Sequence, residues 1–147
     1  MPLLTISVEP AGLVVPVMVS ISQPRLGLLK SAGLPVPDAV SVRALIDTGA
    51  SCTAIDPKVL RQLGLPPTGT VSIVTPSTGA TPHTCNQFDV GLAFVMSPNG
   101  IHVATVTLPV VEASLDSHGI QALIGRDVLS KGLLVYNGPN NSLSLAF

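Results

Sequence analysis

Asp47-Thr48-Gly49 follows the apolar run Ala44-Leu45-Ile46, so a carboxylate stands where a strand would break into a tight turn. Two such carboxylates within hydrogen-bonding distance hold one proton between them, because both cannot ionise cheaply. The ionised member can then take a proton from a bound water that attacks a carbonyl carbon, while the protonated member donates to the carbonyl oxygen. That chemistry needs neither a metal nor a covalent intermediate. The chain carries one Asp-Thr-Gly. Its nearest second approach, Asp116-Ser117-His118-Gly119, has one residue too many. The plain alternative for Asp47 is a turn aspartate bonded to its own backbone.

A second segment bears on that choice. Leu123-Ile124-Gly125-Arg126-Asp127-Val128-Leu129 reads as an apolar strand, a glycine and a short helix, with Gly125 placed 78 residues after Asp47. In this order the two segments resemble the retropepsin-like aspartic proteases, where the second packs behind the turn that carries the aspartate. The resemblance runs from about Val14 to Phe147, and its specific part lies in residues 44–55 and 123–129. It implies an all-β fold, a closed acid-protease barrel with one or two short helices. It also implies that Asp47, Thr48 and Gly49 are catalytic. Ala50 and Ser51, with the flap residues Pro76, Ser77, Thr78 and Gly79, would contact substrate, and Gly125, Arg126 and Asp127 would support the turn.

One aspartate per chain then implies a homodimer with the site on its two-fold axis. Thr48 would bond across that axis, and Gly49 would let the two turns approach closely. The implied activity is that of an aspartic endopeptidase acting on peptides or proteins, with no cofactor. The alternative from another class is a non-catalytic dimerisation or peptide-binding module that keeps the fold. In retroviral members the arginine pairs with an acidic residue four positions after the aspartate. Here that position is Ser51, so the partner of Arg126 is open, and a surface ion pair with Asp127 is its plain reading.

Several elements must position these residues. Leu13 to Ile21 and Val40 to Ile46 read as strands, the second delivering Asp47. Residues 22–39 read as an irregular connection whose prolines and glycines prevent regular structure. Its leucines suggest packing on the barrel or on a partner, with self-cleavage as the less ordinary outcome. Asp56-Pro57 through Gly64 reads as a capped short helix. Val71 to Cys85 carries the flap, with its turn at Pro76 to Ala80. Phe88 to Met96 and Ile101 to Leu108 alternate around a Ser97-Pro98-Asn99-Gly100 hairpin signal. Val135 to Tyr136 and Leu143 to Phe147 form a last pair. The latter ends on an apolar face with no gatekeeper, which predicts an edge paired with a partner's termini.

A chain of 147 residues falls near the commonest domain size and reads as one domain over residues 1–147. Charged residues make up 10% of it against 46% hydrophobic, so the substrate pockets should be apolar. A net charge of −1, one Tyr, three Phe and no Trp argue against nucleic acid as a partner. No apolar run is long enough to span a membrane, and the first residues lack a basic secretion signal. With Cys52 and Cys85 as the only cysteines, a cytoplasmic setting is the simpler reading. Cys52, five positions after Asp47, reads as a small hydrophobe near the cleft rather than a reactive thiol. His83, His102 and His118 lack metal-ligand spacing, and no metal site is expected.

Overall fold

The computed structural model describes residues 3–76, 79–95 and 102–147, without the side chains of residues 102–105. Its core is a barrel. Strand β2 (Val14–Ile21) pairs antiparallel with β3 (Val40–Ile46), and β3 lies parallel to β8 (Ala122–Ile124). The short β4 (Ala54–Ile55) joins β8 to β7 (His102–Glu112), and β7 pairs with the long β6 (His83–Val95). Pairing of β6 back onto β2 closes the ring at six strands. Val15, Val17 and Val19 alternate inward on β2, as do Val90, Leu92 and Phe94 on β6, and all six are fully buried. Period-2 alternation of β-branched and aromatic residues thus fills the barrel from facing walls.

Strand β5 (Gly69–Ile73) lies outside the ring and pairs only with β6, with Ile73 opposite His83. This hairpin lies where the sequence reading expects the flap, and Gly79 between its strands has φ 60. Ser77 and Thr78 lie outside the described residues, as does the Ser97 to Gly100 hairpin turn.

Helix α2 (Pro57–Gln62) forms as its sequence dictates. Asp56 caps it by accepting from the Lys58 N–H at 2.9 Å, Pro57 opens it where no N–H is needed, and Gly64 leaves it at φ 63. Helix α3 (Arg126–Leu129) follows Gly125 directly.

A third helix corrects the reading of residues 22–39 as irregular. Gln23–Ser31 is α1, capped by the Ser22 hydroxyl, which accepts from the Arg25 N–H at 3.4 Å. Pro24 sits in its first turn and is tolerated there, Gly27 is carried in its interior, and Gly33, Pro35 and Pro37 fall after its end. Leu26 and Leu29 pack on the core, whereas Leu28 is 72% exposed. Docking on the barrel is therefore what two of its leucines do.

The C-terminal strand also differs from expectation. β10 (Ser142–Ala146) is not an edge: β1 (Leu3–Ser7) pairs along one side and β9 (Leu133–Asn137) along the other. Leu143 and Leu145 turn inward and are buried with Leu4. The gatekeepers that an edge would require are absent because the chain covers both sides itself. The open edges belong to β1 and β9, and Leu3, Leu133 and Val135 stand exposed on the sheet.

Candidate active site

Strand β3 carries Asp47 out of the barrel wall between two neighbours. The Ile46 N–H donates to the Leu13 carbonyl at 2.8 Å and the Asp47 N–H to the Ile124 carbonyl at 3.0 Å. The turn then closes on itself. The Gly49 N–H donates to Asp47 Oδ1 at 2.9 Å, and the Ala50 N–H to the Asp47 carbonyl at 3.2 Å. The plain role of Asp47 as a turn former is thus present through Oδ1. Oδ2 accepts no hydrogen bond among the described residues. Thr48 and Gly49 are exposed at the tip, available to another molecule.

The segment behind the turn is packed to backbone contact. A Cβ on Gly125 would lie 2.6 Å from both the carbonyl carbon and oxygen of Cys52 and 3.1 Å from the Ala50 carbonyl oxygen. Only glycine fits, a matter of space rather than of dihedral freedom. The Arg126 N–H donates to the Ala50 carbonyl at 2.9 Å, which ties α3 to the turn.

Asp127, not the Arg126 guanidinium, grips the loop after the turn. Its Oδ2 accepts from the Thr53 N–H at 2.8 Å and its Oδ1 from the Thr53 hydroxyl at 2.7 Å. The same hydroxyl oxygen accepts from the Gly125 N–H at 3.1 Å. The reading of Arg126 and Asp127 as an ion pair is therefore corrected, because Thr53 already occupies both oxygens of the carboxylate. Arg126 is exposed and forms no side-chain bond among the described residues. Thr53, fully buried, was not singled out from the sequence. The signal was there in a hydroxyl set beside the apolar pair Ala54-Ile55, since a buried hydroxyl needs partners.

An open cleft of about 580 Å³ lies over the turn, with Asp47, Gly49, Ala50, Ser51 and Pro76 among its walls. Gly79 is not among its lining residues, and neither is Thr48. Ala54, Ile73, Val111, Ala113 and Leu123 make most of the remaining wall. Sequence reading missed these, because each is an ordinary apolar residue in a strand or, for Ala113, just past one until the barrel closes. Among the described lining residues Asp47 is the one charged group, so the cleft suits apolar side chains, as the composition suggested.

Cys52 also lines the cleft and is half-buried. Burial and the Asp127 carboxylate push its thiol up, against a smaller opposing effect of the Ser51 hydroxyl. A thiol held protonated is a poor nucleophile, in keeping with its reading as a small hydrophobe. Asp116, the nearest second candidate for an Asp-Thr-Gly, is instead paired with Lys58 on a 3-10 turn. No cluster of three metal-ligating side chains occurs among the described residues. Among these residues no helix is long and apolar enough to cross a membrane.

Comparison with known proteins agrees with this geometry. The fold is similar to that of a retropepsin-like aspartic protease from Rickettsia conorii, with a TM-score of 0.56 and 15% identity, over 99% of this chain and 90% of that one. The retroviral protease-like domain of Ddi1 from Leishmania major is also matched, with a TM-score of 0.43 and 14% identity, over 88% of this chain and 86% of that one. No curated protein is matched by sequence. Residues 36–128, more than half of the chain, with the Asp47 turn and the second segment through Val128, match the aspartyl protease family. This chain belongs to the aspartyl protease family and has a retropepsin-like fold.

Proposed function

We propose that the protein is an aspartic endopeptidase that works as a homodimer, each chain giving one Asp47 to a shared pair of carboxylates. The observation that carries this reading is the position of Asp47 at the floor of an apolar cleft, on a turn braced by Gly125, with Oδ2 left without a hydrogen bond. In the dimer one carboxylate takes a proton from water as that water attacks the scissile carbonyl. The other protonates the carbonyl oxygen, and a proton then passes to the leaving nitrogen. Substrate lies extended between the turn and the flap strand β5, with main-chain bonds for affinity and wall pockets for specificity. The exposed apolar face of the β1–β10–β9 sheet is the surface on which the second chain packs. Two free cysteines suit a reducing, cytoplasmic setting.

A peptide-binding module without turnover is favoured by one observation, the single carboxylate that each chain supplies. Incubation with a peptide library, with and without a statine-type inhibitor, separates the two. Cleavage blocked by the inhibitor and absent from Asp47→Asn is expected. Peptide binding with no cleavage by either protein would sink the enzyme reading.

A further inference from the structure

A second cavity, of about 490 Å³, lies beside the cleft and is lined by Ala11, Leu45, Leu115, His118, Ile120 and Leu123. Leu123 lines both hollows. Leu45 and Leu123 are direct partners in the parallel β3–β8 register, and Leu45 precedes Asp47 by two residues. Side chains two apart on a strand share a face and stand about 6.6 Å apart along it. Leu45 therefore shares the face of the strand that Asp47 continues, and the cavity opens within two residues' reach of it.

Five of the six lining residues are apolar, and the imidazole of His118 is the exception. The backbone around it is set by the bond from the His118 N–H to the Leu115 carbonyl at 2.9 Å and by Gly119 at φ 74. The neighbouring charges are already matched, Arg43 with Glu9 and Lys58 with Asp116. His118 is exposed and makes no side-chain hydrogen bond among the described residues, so its ring is open to water and to a ligand alike. An apolar hollow with an open imidazole on its wall fits a side chain with an aliphatic stem and an acceptor at its tip. The neutral imidazole offers one N–H and the charged form two.

Resting on the protease reading, we infer that His118 is a specificity-determining residue. It selects a glutamate or glutamine side chain of the substrate within two residues of the scissile bond, the stem lying on Leu45 and Leu123 and the tip on the imidazole.

The test uses quenched fluorescent peptides that differ only in Glu, Gln or Leu at each of the four residues flanking the cut. kcat/KM is measured for the wild type, His118→Leu and His118→Gln. At one of the four positions the Glu-to-Leu ratio should fall about three- to tenfold in His118→Leu, the effect of one lost hydrogen bond. His118→Gln, which keeps a donor, should restore part of it. An unchanged ratio at all four positions overturns the inference. Cleavage of the Leu peptides reports separately on the protease reading. Should the wild type cleave none of them, the same ratio is read from peptide affinities by fluorescence anisotropy. Equal ratios there for wild type and His118→Leu, or no binding at all, likewise overturn it.

Discussion

Thr53 holds Asp127 at two points, its N–H on one carboxylate oxygen at 2.8 Å and its hydroxyl on the other at 2.7 Å. The two residues stand 74 apart in sequence. Between them they fasten the loop after the Asp47 turn to the first turn of α3, and the Gly125 N–H completes the clasp through the same hydroxyl oxygen. A charge-assisted bond inside a buried network is worth more than one on the surface. The clasp therefore fixes where the turn sits.

Removing that hydroxyl should loosen both segments. Thr53→Val keeps the shape but leaves the Gly125 N–H without a partner and Asp127 Oδ1 with the Val128 N–H alone, and the loss should be about 1–3 kcal/mol. Thr53→Ser should cost much less, since it loses only a methyl group. Urea denaturation of the three proteins checks this. Equal stability of Thr53→Val and wild type would mean that the clasp is incidental.

Two glycine substitutions should move in opposite directions. Gly125→Ala would drive a Cβ to 2.6 Å from the Cys52 backbone, which cannot yield as a side chain end can, so a loss of about 1–3 kcal/mol is expected. Gly27, in the middle of α1, has nothing within 4 Å of an added Cβ. Gly27→Ala should therefore stabilise by about 0.5–1 kcal/mol. Thermal melts read both, and a stabilised Gly125→Ala would contradict the packing described.

These cases show where sequence was sufficient. Local chemistry announced α2, because Asp56, Pro57 and Gly64 each act within a few residues of the helix they bound. It announced β3 and the Asp47 turn for the same reason. It did not announce α1, since Pro24 and Gly27 read as breakers until their positions in the helix are known. It paired β10 with β9, its neighbour in sequence, but could not place β1 along the other side, because β1 comes from the opposite end of the chain. The role of Asp127 was hidden similarly. Its partner is Thr53, and only closure of the barrel brings the two together.

Acid should weaken the fold through Asp56. Its carboxylate is buried, which alone would raise its pKa. The N–H groups of Lys58, Leu115 and Asp116 and the nearby Lys58 charge outweigh burial and hold it below the usual carboxylate range. A group lowered on folding contributes stability above its unfolded pKa, about 3.9, and that contribution is lost as pH falls through the folded value. Asp56→Asn should thus be about 1–3 kcal/mol less stable than wild type at pH 6, with the gap narrowing toward pH 3. Denaturation at both values decides it. A gap that does not change with pH would assign Asp56 a role without charge.

Activity should require one Asp47 from each of two chains. Random assortment of wild-type with an equal amount of Asp47→Asn chain gives about a quarter of dimers with both carboxylates. Co-refolded mixtures should therefore retain about a quarter of the activity of the same total amount of wild type. Retention of half, in proportion to the wild-type chain present, would show that each chain works alone. Deleting β10 cannot serve as the companion test, because it would remove Leu143 and Leu145 from the core and unfold the chain with or without a partner. Substitution of exposed residues serves better. Leu133 and Val135 are 58% and 48% exposed on β9, so a Leu133→Lys, Val135→Lys double variant should fold as a monomer. Two lysines placed on a dimer face meet their own copies or a desolvated wall, and either outcome opposes association. Light scattering should then report a single chain and peptide cleavage should be lost, while the melting transition persists. A double variant that remains dimeric and active would move the interface to another face of the barrel.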